Sequence, residues 1–309
     1  NTDLPWFDYT FTTPAAFSQA TVSPVAAVSA TATGRCDAHS RYGTYCSPRL
    51  SALWRLTSAV SSRLSVGGGF FAPTQFTEET EATGLAAYAA LSPDLRAERA
   101  RSAAFDVTVR RGPLEITATA FASNLDRAVG VWTPPTGPVL DPVLGGPTFV
   151  NVPGPTRTRG VEILGVLEAE PVSLTAYYAF VQATEVDATS RFRRDVPLTP
   201  RHAAGFDLAY EVEETGTRVA VEAFYVGRQA LEHDPYADVS RPYTTIGVLV
   251  AHRFGRATLF LNCENAGGIR QSSYASLLLP RQGMGGRWTT DAWAPLEGRV
   301  VNGGMRFPL

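Results

Sequence analysis

Few residues of this sequence have the types and spacing that enzyme or metal chemistry requires. The four His residues are scattered along the chain and no Cys-x-x-Cys pair is present, so a zinc site has little support. Two segments place a His near an Asp, CDAHS (36–40) and EHDPY (232–236). Bonding within a loop explains such neighbours equally well. We therefore predict no enzyme activity, no catalytic residues, no metal site and no cofactor.

Ligand binding has more candidates than catalysis. The segment RFRRD (191–195) concentrates guanidinium groups, which bind anionic chelates through charge-assisted hydrogen bonds. Aromatic side chains in other polar segments offer flat apolar surfaces. The candidate ligand-binding residues are Arg191, Arg193, Arg194, Tyr236, Tyr274 and Trp288. The alternative is that the arginines form a solvated surface and that the aromatic rings lie at a membrane interface.

Two of the three Cys residues flank one polar segment, CDAHSRYGTYC (36–46). Cys36 and Cys46 lie at the ends of two predicted strands and are a candidate loop-closing disulfide in an oxidising compartment. Two unpaired thiols are the alternative. Cys263 falls within a predicted strand, where we expect it to be a small apolar side chain.

The elements that would position these residues are strands. In FDVTVRRGPLEITATAF (105–121), apolar and polar residues alternate on both sides of Arg-Gly-Pro, which is typical of a hairpin. Alternation of this kind predicts thirteen strands: 14–22, 25–36, 48–57, 62–71, 96–110, 114–126, 157–169, 172–184, 200–213, 217–229, 243–254, 257–265 and 298–307.

Short and long links alternate between the predicted strands. The long polar links are 37–47, 72–95, 127–156, 185–199, 230–242 and 266–297. A soluble sandwich gives no reason to place every long loop at one end, whereas an outer-membrane barrel has short periplasmic turns and long extracellular loops. In 217–229, Val219 and Val221 oppose Arg218 and Glu222, and such charges are unfavourable in a dry core. We predict an all-β, antiparallel transmembrane β-barrel whose apolar face contacts outer-membrane lipid.

The composition excludes several other classes. A hydrophobic content of 44% with 18% charged residues argues against disorder, and a net charge of -2 gives no electrostatic case for nucleic acid. No apolar run approaches the ~18 residues of a membrane-spanning helix. The mean hydropathy of -0.05 fits a membrane barrel and also fits a soluble protein.

Several segments resemble one family when their order is considered. They are RLSVGGGFFAPTQFTEET (63–80), LRAERA (95–100), TRGVEILGVLEAEP (158–171), VPLTPRHAAGFDLAYE (196–211), FLNCENAGGIR (260–270) and GRVVNGGMRFPL (298–309). Together they are similar to the C-terminal part of the barrel of TonB-dependent outer-membrane receptors. The sequence departs from the family pattern at Phe71, where a basic residue is common, and at its end, Phe-Pro-Leu in place of a terminal aromatic residue.

The resemblance implies a Gram-negative outer-membrane receptor that imports a ferric siderophore, haem or a corrinoid with energy supplied through TonB. It also implies a barrel of about twenty-two strands, of which residues 1–309 would supply about the last 12–14 as a partial barrel domain. The plug domain, through which TonB acts, is absent from this chain, and the chain begins at Asn1 without a leader, so we expect a mature form or a piece of a longer protein. The alternatives are a complete smaller barrel, a plugless diffusion porin and a soluble all-β binding protein.

Overall fold

The computed structural model describes residues 10–74, 90–132, 148–281 and 288–307. Its strands are β1 (Ala15–Val25), β2 (Val28–His39), β3 (Gly43–Arg55), β4 (Val60–Phe71), β5 (Ala90–Leu91), β6 (Glu98–Arg111), β7 (Leu114–Asp126), β8 (Val129–Trp132), β9 (Thr148–Asn151), β10 (Thr156–Ala169), β11 (Val172–Val186), β12 (Arg193–Asp195), β13 (His202–Val212), β14 (Thr217–Val226), β15 (Tyr243–Phe254), β16 (Ala257–Glu264) and β17 (Val300–Arg306). One 3₁₀ turn spans Gln271–Ser273. Within the described ranges, no helix is long and apolar enough to cross a membrane.

Thirteen of these strands follow one antiparallel path, β1-β2-β3-β4-β6-β7-β10-β11-β13-β14-β15-β16-β17. Each of the thirteen predicted strands corresponds to one strand of this path, so the predicted antiparallel all-β fold is confirmed. Among the described residues, β1 and β17 each pair on one side only. Because directions alternate along the path, β1 and β17 run the same way and cannot close antiparallel with each other.

The ladders divide the sheet into two faces. Leu174, Leu208, Val221 and Val248 are successive cross-strand partners, and they define what we call the apolar face. The adjacent row of cross-strand partners defines the polar face: Thr175, Asp207, Glu222 and Gly247. Since side chains alternate with period two, a regular register keeps all other residues of these strands on one face or the other.

The links also divide the sheet into two ends. β1–β2, β3–β4, β6–β7, β10–β11, β13–β14 and β15–β16 are joined by short turns at one end, which we call the turn rim. The other end, the loop rim, carries longer links that hold β5, β8, β9 and β12. There β5, β9 and β8 form a separate three-stranded sheet around Leu95 and Phe149.

The predicted long loop at 37–47 is wrong. β2 and β3 continue through it, and only 40–42 separate them. Gly43, at φ 85°, occupies a left-handed conformation that suits glycine and permits this tight turn. Cys36 and Cys46 are direct cross-strand partners rather than residues at strand ends, and a disulfide joins them.

Candidate functional site

Three links at the loop rim contact one another: 187–201, 227–242 and the described parts of the last link, 265–281 with 288–299. We call them the loop cap. The backbone N–H of Leu198 donates to Ala230 O at 2.9 Å, joining the first link to the second. The Nε2 group of Gln229 donates to the carbonyl of Trp293 at 3.0 Å, joining the second to the third. The loop cap is therefore held together by contacts between residues that are distant in the sequence.

Arg194 is the main ionic contact between the first two links. Its Nη2 atom lies 2.7 Å from Glu232, 3.0 Å from Glu185 and 3.2 Å from Asp187. Partial burial alone would lower the pKa of Arg194, but the hydrogen bond and charge of Glu232, with the charges of Asp187 and Glu185, outweigh burial and raise that pKa. The predicted ligand-binding guanidinium of Arg194 is thus engaged in joining two loops.

Asp291 makes the corresponding contact between the second and third links. Its buried carboxylate accepts the backbone N–H groups of Glu232 and His233, at 2.7 and 2.9 Å, and pairs with His233 Nδ1 at 3.2 Å. Burial alone would raise the pKa of Asp291, but these hydrogen bonds hold it well below its usual range. His233 of the EHDPY segment therefore pairs with an Asp from another loop.

The other His–Asp segment is also held by local contacts. Asp37 forms an ion pair with Arg35 at 2.7 Å. His39 Nδ1 accepts the backbone N–H groups of Arg41 and Tyr42, at 3.2 and 3.3 Å, across the β2–β3 turn. These contacts hold the hairpin tip in place and give no indication of acid–base chemistry. Within the part of the chain that the structure describes, no group of three or more His, Cys, Asp or Glu side chains could hold a metal ion.

A fully buried amide, Gln271, organises the third link. Its Oε1 atom accepts the backbone N–H groups of Trp293 and Ala294, at 2.8 and 3.3 Å, and its Nε2 group donates to the carbonyl of Asp291 at 2.6 Å. Gln271 and Asp291 cannot be identified from the sequence, because a polar residue in a polar loop carries no periodic signal. Their role comes from contacts within the folded cap.

The predicted aromatic ligand-binding residues lie on the exposed surface of the loop cap. The Tyr236 hydroxyl donates to Leu278 O at 3.4 Å, and Leu279 N donates to Trp288 O at 3.0 Å. Tyr236 and Trp288 therefore approach the same 278–279 segment. Tyr274 lies under the Arg241 guanidinium, whose carbon is 5.8 Å from the ring centroid.

The two other predicted arginines differ in their surroundings. Arg193 donates to Thr184 Oγ1 at 3.0 Å and to Pro155 O at 2.8 Å. Arg191, at φ 63°, is exposed, and its guanidinium has no hydrogen bond or ion pair with the described residues. The RFRRD segment therefore presents one free guanidinium among the described contacts rather than a cluster of three.

One protein family matches most of this chain. A family model described as a TonB dependent receptor-like β-barrel matches residues 1–266. The chain belongs to the TonB-dependent receptor family. This membership confirms the resemblance that the ordered sequence segments indicated.

Solved structures of other proteins share the fold of this TonB-dependent receptor chain. The FrpB iron transporter from Neisseria meningitidis is 13% identical, with a TM-score of 0.70 over 98% of this chain and 48% of its own. The siderophore receptor PirA from Acinetobacter baumannii is 14% identical, with a TM-score of 0.69 over 96% of this chain and 46% of its own. A mutant of the ferric enterobactin receptor PfeA from Pseudomonas aeruginosa is 15% identical, with a TM-score of 0.69 over 95% of this chain and 44% of its own.

The chain thus spans less than half the length of these receptors. No curated protein matches its sequence. At these identities the structural likeness shows the fold of the TonB-dependent receptor barrel.

Proposed function

We propose that this chain forms part of the barrel wall and the extracellular loop cap of an outer-membrane active-transport receptor. The receptor imports a scarce nutrient with energy supplied through TonB, and a ferric siderophore is the preferred ligand class. The observation that carries this proposal is a two-faced antiparallel sheet, in a member of this family, with an interlocked loop cap at one rim.

The apolar face has the height that a lipid-facing wall needs. On β11 it runs from Val172 to Phe180 with Leu174, Ala176 and Tyr178 between them. The eight steps from Val172 to Phe180, at ~3.3 Å each and a tilt of ~40°, give a band about 20 Å tall, close to the ~25 Å apolar band of membrane barrels. We infer that this face contacts the acyl chains of the outer membrane.

The polar face carries apolar groups that a water-filled bore would leave exposed. Leu164 and Tyr177 are cross-strand partners on this face and both are exposed in this chain. The Tyr177 ring lies 6.5 Å from that of Phe224, on either side of Gly205. Exposed apolar surface of this kind marks a contact with another folded part. We infer that a plug domain of the same receptor packs here, which favours a gated receptor over a diffusion porin.

The loop cap suits an anionic aromatic chelate. Tyr236, Tyr274 and Trp288 offer exposed ring faces, and Arg191 offers a free guanidinium among the described contacts. The solved structures that share this fold are those of an iron transporter and of siderophore receptors, which supports a ferric siderophore ahead of haem or a corrinoid.

Uptake measurements test this function directly. The receptor containing this chain is expressed in a Gram-negative strain without its own siderophore receptors, and radioactive iron is supplied as one ferric siderophore at a time. We expect uptake of at least one chelate that disappears in a strain lacking TonB. Equal uptake of unrelated small solutes with and without TonB would establish a diffusion porin instead.

A binding measurement tests the ligand surface. Tyr274→Ala removes an exposed aromatic face of the loop cap and should weaken binding of the transported chelate by about tenfold. The matched control is Tyr210→Ala, because Tyr210 is 47% exposed against 45% for Tyr274 but lies on the apolar face near the turn rim. An equal effect of both substitutions would contradict a ligand surface at the loop cap.

A further inference from the structure

Acidic and basic side chains are almost absent from the apolar face. Among the described strands of the thirteen-strand path, the register places only these Asp, Glu and Arg residues on it: Arg99, Arg101, Arg111, Asp126, Arg157 and Arg159. Arg111 is at the turn rim, next to the β6–β7 turn. The other five all lie at the loop-rim ends of three neighbouring strands, β6, β7 and β10.

Four polar residues of these strands form a continuous surface, which we call the basic patch: Arg101, Asn124, Arg157 and Arg159. Arg101 pairs across the ladder with Asn124, which pairs in turn with Arg157. Arg159 lies two residues further along β10. Cross-strand partners have Cα atoms ~4.5–5.5 Å apart, so Arg101 and Arg157 are two strand spacings apart, on either side of Asn124. The one carboxylate beside the patch, Asp126, is the cross-strand partner of Arg99.

The basic patch lies directly above the apolar band. Two residues nearer the turn rim than Arg159, Val161 pairs with Ala120, which pairs with Phe105. Two residues of a strand span ~6.7 Å, so the positive charge begins where the apolar surface ends. A lipid whose acyl chains cover Phe105 and Val161 would hold its headgroup at this level.

The arginines of the basic patch have donors available. Arg159 uses Nε and Nη2 to bond Gln182 Oε1, at 2.9 and 2.7 Å. Arg101 and Arg157 are exposed, and neither guanidinium has a hydrogen bond or ion pair with the residues that the structure describes. A guanidinium that is not used internally can bind a phosphate group through two parallel hydrogen bonds.

A cavity lies beside the basic patch, between β3 and β4. Pro48 has no N–H to donate, and the β3–β4 ladder ends next to it at Arg49 and Gly67, while β3 stays paired with β2 up to Gly43. The resulting gap has a volume of about 410 Å³, and its lining includes Pro48, Gly68 and Arg101. The size falls within the range of small-molecule sites.

Aromatic and cationic groups line the same cavity. The Tyr45 and Phe70 rings stack at 4.7 Å, and the Arg99 guanidinium carbon lies 5.0 Å from the Tyr45 ring centroid. Tyr45 is buried by these contacts, so the rings form a wall of the cavity next to the cations that would hold phosphate groups. The cavity thus extends the basic patch toward β3.

We propose that the basic patch binds the phosphate groups of an anionic, phosphorylated glycolipid of the outer leaflet, with its acyl chains on the apolar band. Charge complementarity carries the proposal: all but one of the arginines on the apolar face of the thirteen-strand path, Arg111 being the exception, lie in one sector at headgroup level, where they outnumber the one carboxylate, Asp126. The loop rim must be extracellular for this lipid to be the occupant, so the inference rests on the proposed function.

The test is lipid binding by the receptor containing this chain, purified in detergent. Native mass spectrometry counts bound lipid A, a bisphosphorylated glycolipid, on the parent protein and on the R101Q/R157Q/R159Q variant. We expect the variant to bind lipid A at least about tenfold more weakly, because each lost guanidinium removes charge-assisted hydrogen bonds. Heat-modifiable gel mobility shows whether both proteins are folded.

The matched control removes the same charge elsewhere. The R49Q/R63Q/R111Q variant changes two arginines of the polar face and one at the turn rim. It should bind lipid A as the parent protein does. An equal loss in both variants would overturn the site, because it would show that only net charge matters.

Two further arms identify the ligand chemistry. Phosphatidylcholine should not replace lipid A, and inorganic phosphate should not compete with it at equal concentration. Replacement or competition would overturn a glycolipid site.

Iron uptake is measured on the same variants, because loss of lipid binding with TonB-dependent uptake unchanged supports the inference. Specific lipid A binding by a receptor that shows no TonB-dependent uptake would contradict the proposed transport function and leave the lipid site standing.

Discussion

An arginine placed in the middle of the apolar band should oppose membrane insertion much more strongly than an arginine placed one residue away. Ile163 and Leu164 are neighbours near the centre of β10, and they are 43% and 44% exposed. Ile163 lies on the apolar face, between Ala118 and Tyr178, whereas Leu164 lies on the polar face. The pair therefore separates the effect of the face from the effects of depth, exposure and residue type.

The expected magnitude follows from the position of each residue. Arg on the lipid face costs ~2–4 kcal/mol at the bilayer midplane, which is roughly a 30-fold to several hundred-fold shift in the folding equilibrium. No carboxylate lies beside Ile163 on the apolar face, and Arg159 of the same face adds a like charge further along the strand. For Leu164→Arg we expect a smaller loss, because this side chain faces the inferred plug contact rather than acyl chains and because Glu162 and Glu168 share its face.

The assay is urea unfolding of the receptor in lipid vesicles, followed by heat-modifiable gel mobility. Ile163→Arg should lower the urea midpoint markedly, and Leu164→Arg should lower it less. Equal midpoints for the two variants, or a larger loss for Leu164→Arg, would refute the assignment of the apolar face to lipid.

Three further predictions concern the rim of the sheet. Non-reducing mass analysis should find the Cys36 and Cys46 peptides linked, and two free thiols would contradict this pairing. Arg194→Gln should weaken the contacts between loops by ~1–3 kcal/mol and speed cleavage of the loop cap by chymotrypsin, whereas Arg191→Gln should not. The pKa of Asp291 is lowered in the folded cap from its ordinary value of 3.8. The carboxylate therefore gives its full stabilisation when the pH is well above 3.8, and this stabilisation is lost as the pH falls below 3.8 toward the folded pKa. Tryptophan fluorescence of the cap between about pH 6 and pH 2 should therefore show an acid transition, and Asp291→Asn should remove it.

The strands of the main sheet could be predicted because each one alternates between two different environments. In the 172–184 segment, apolar Leu174 and Tyr178 alternate with polar Ser173 and Thr175, and short turns at Pro171 and Gly216 mark where strands end. Alternation with period two survives in a single sequence, since every residue changes face relative to its neighbour.

The same reasoning failed at the β2–β3 tip for a physical reason. Asp37 and His39 are polar, which predicts a loop, but both side chains are buried by specific partners within the hairpin. Short strands inside the long links, β8, β9 and β12, were also missed. Three or four residues are too few to establish a period.

The loop cap could be predicted least. Arg194 was a candidate because of its charge, but its partner Glu232 lies 38 residues away. Asp291 and His233 are separated by 58 residues. Contacts of this kind depend on how the loops meet above the barrel, and a local pattern does not contain that information.

Nitroxide scanning of β11 in lipid vesicles shows which face of the sheet contacts acyl chains. Single Cys residues are introduced from Ser173 to Ala179, with Cys263 replaced by Ser, and each label is exposed to oxygen and to a water-soluble nickel chelate. We expect a period of two, with oxygen collisions highest at Leu174, Ala176 and Tyr178. Oxygen collisions highest at Ser173, Thr175 and Tyr177, or a profile without periodicity, would contradict it.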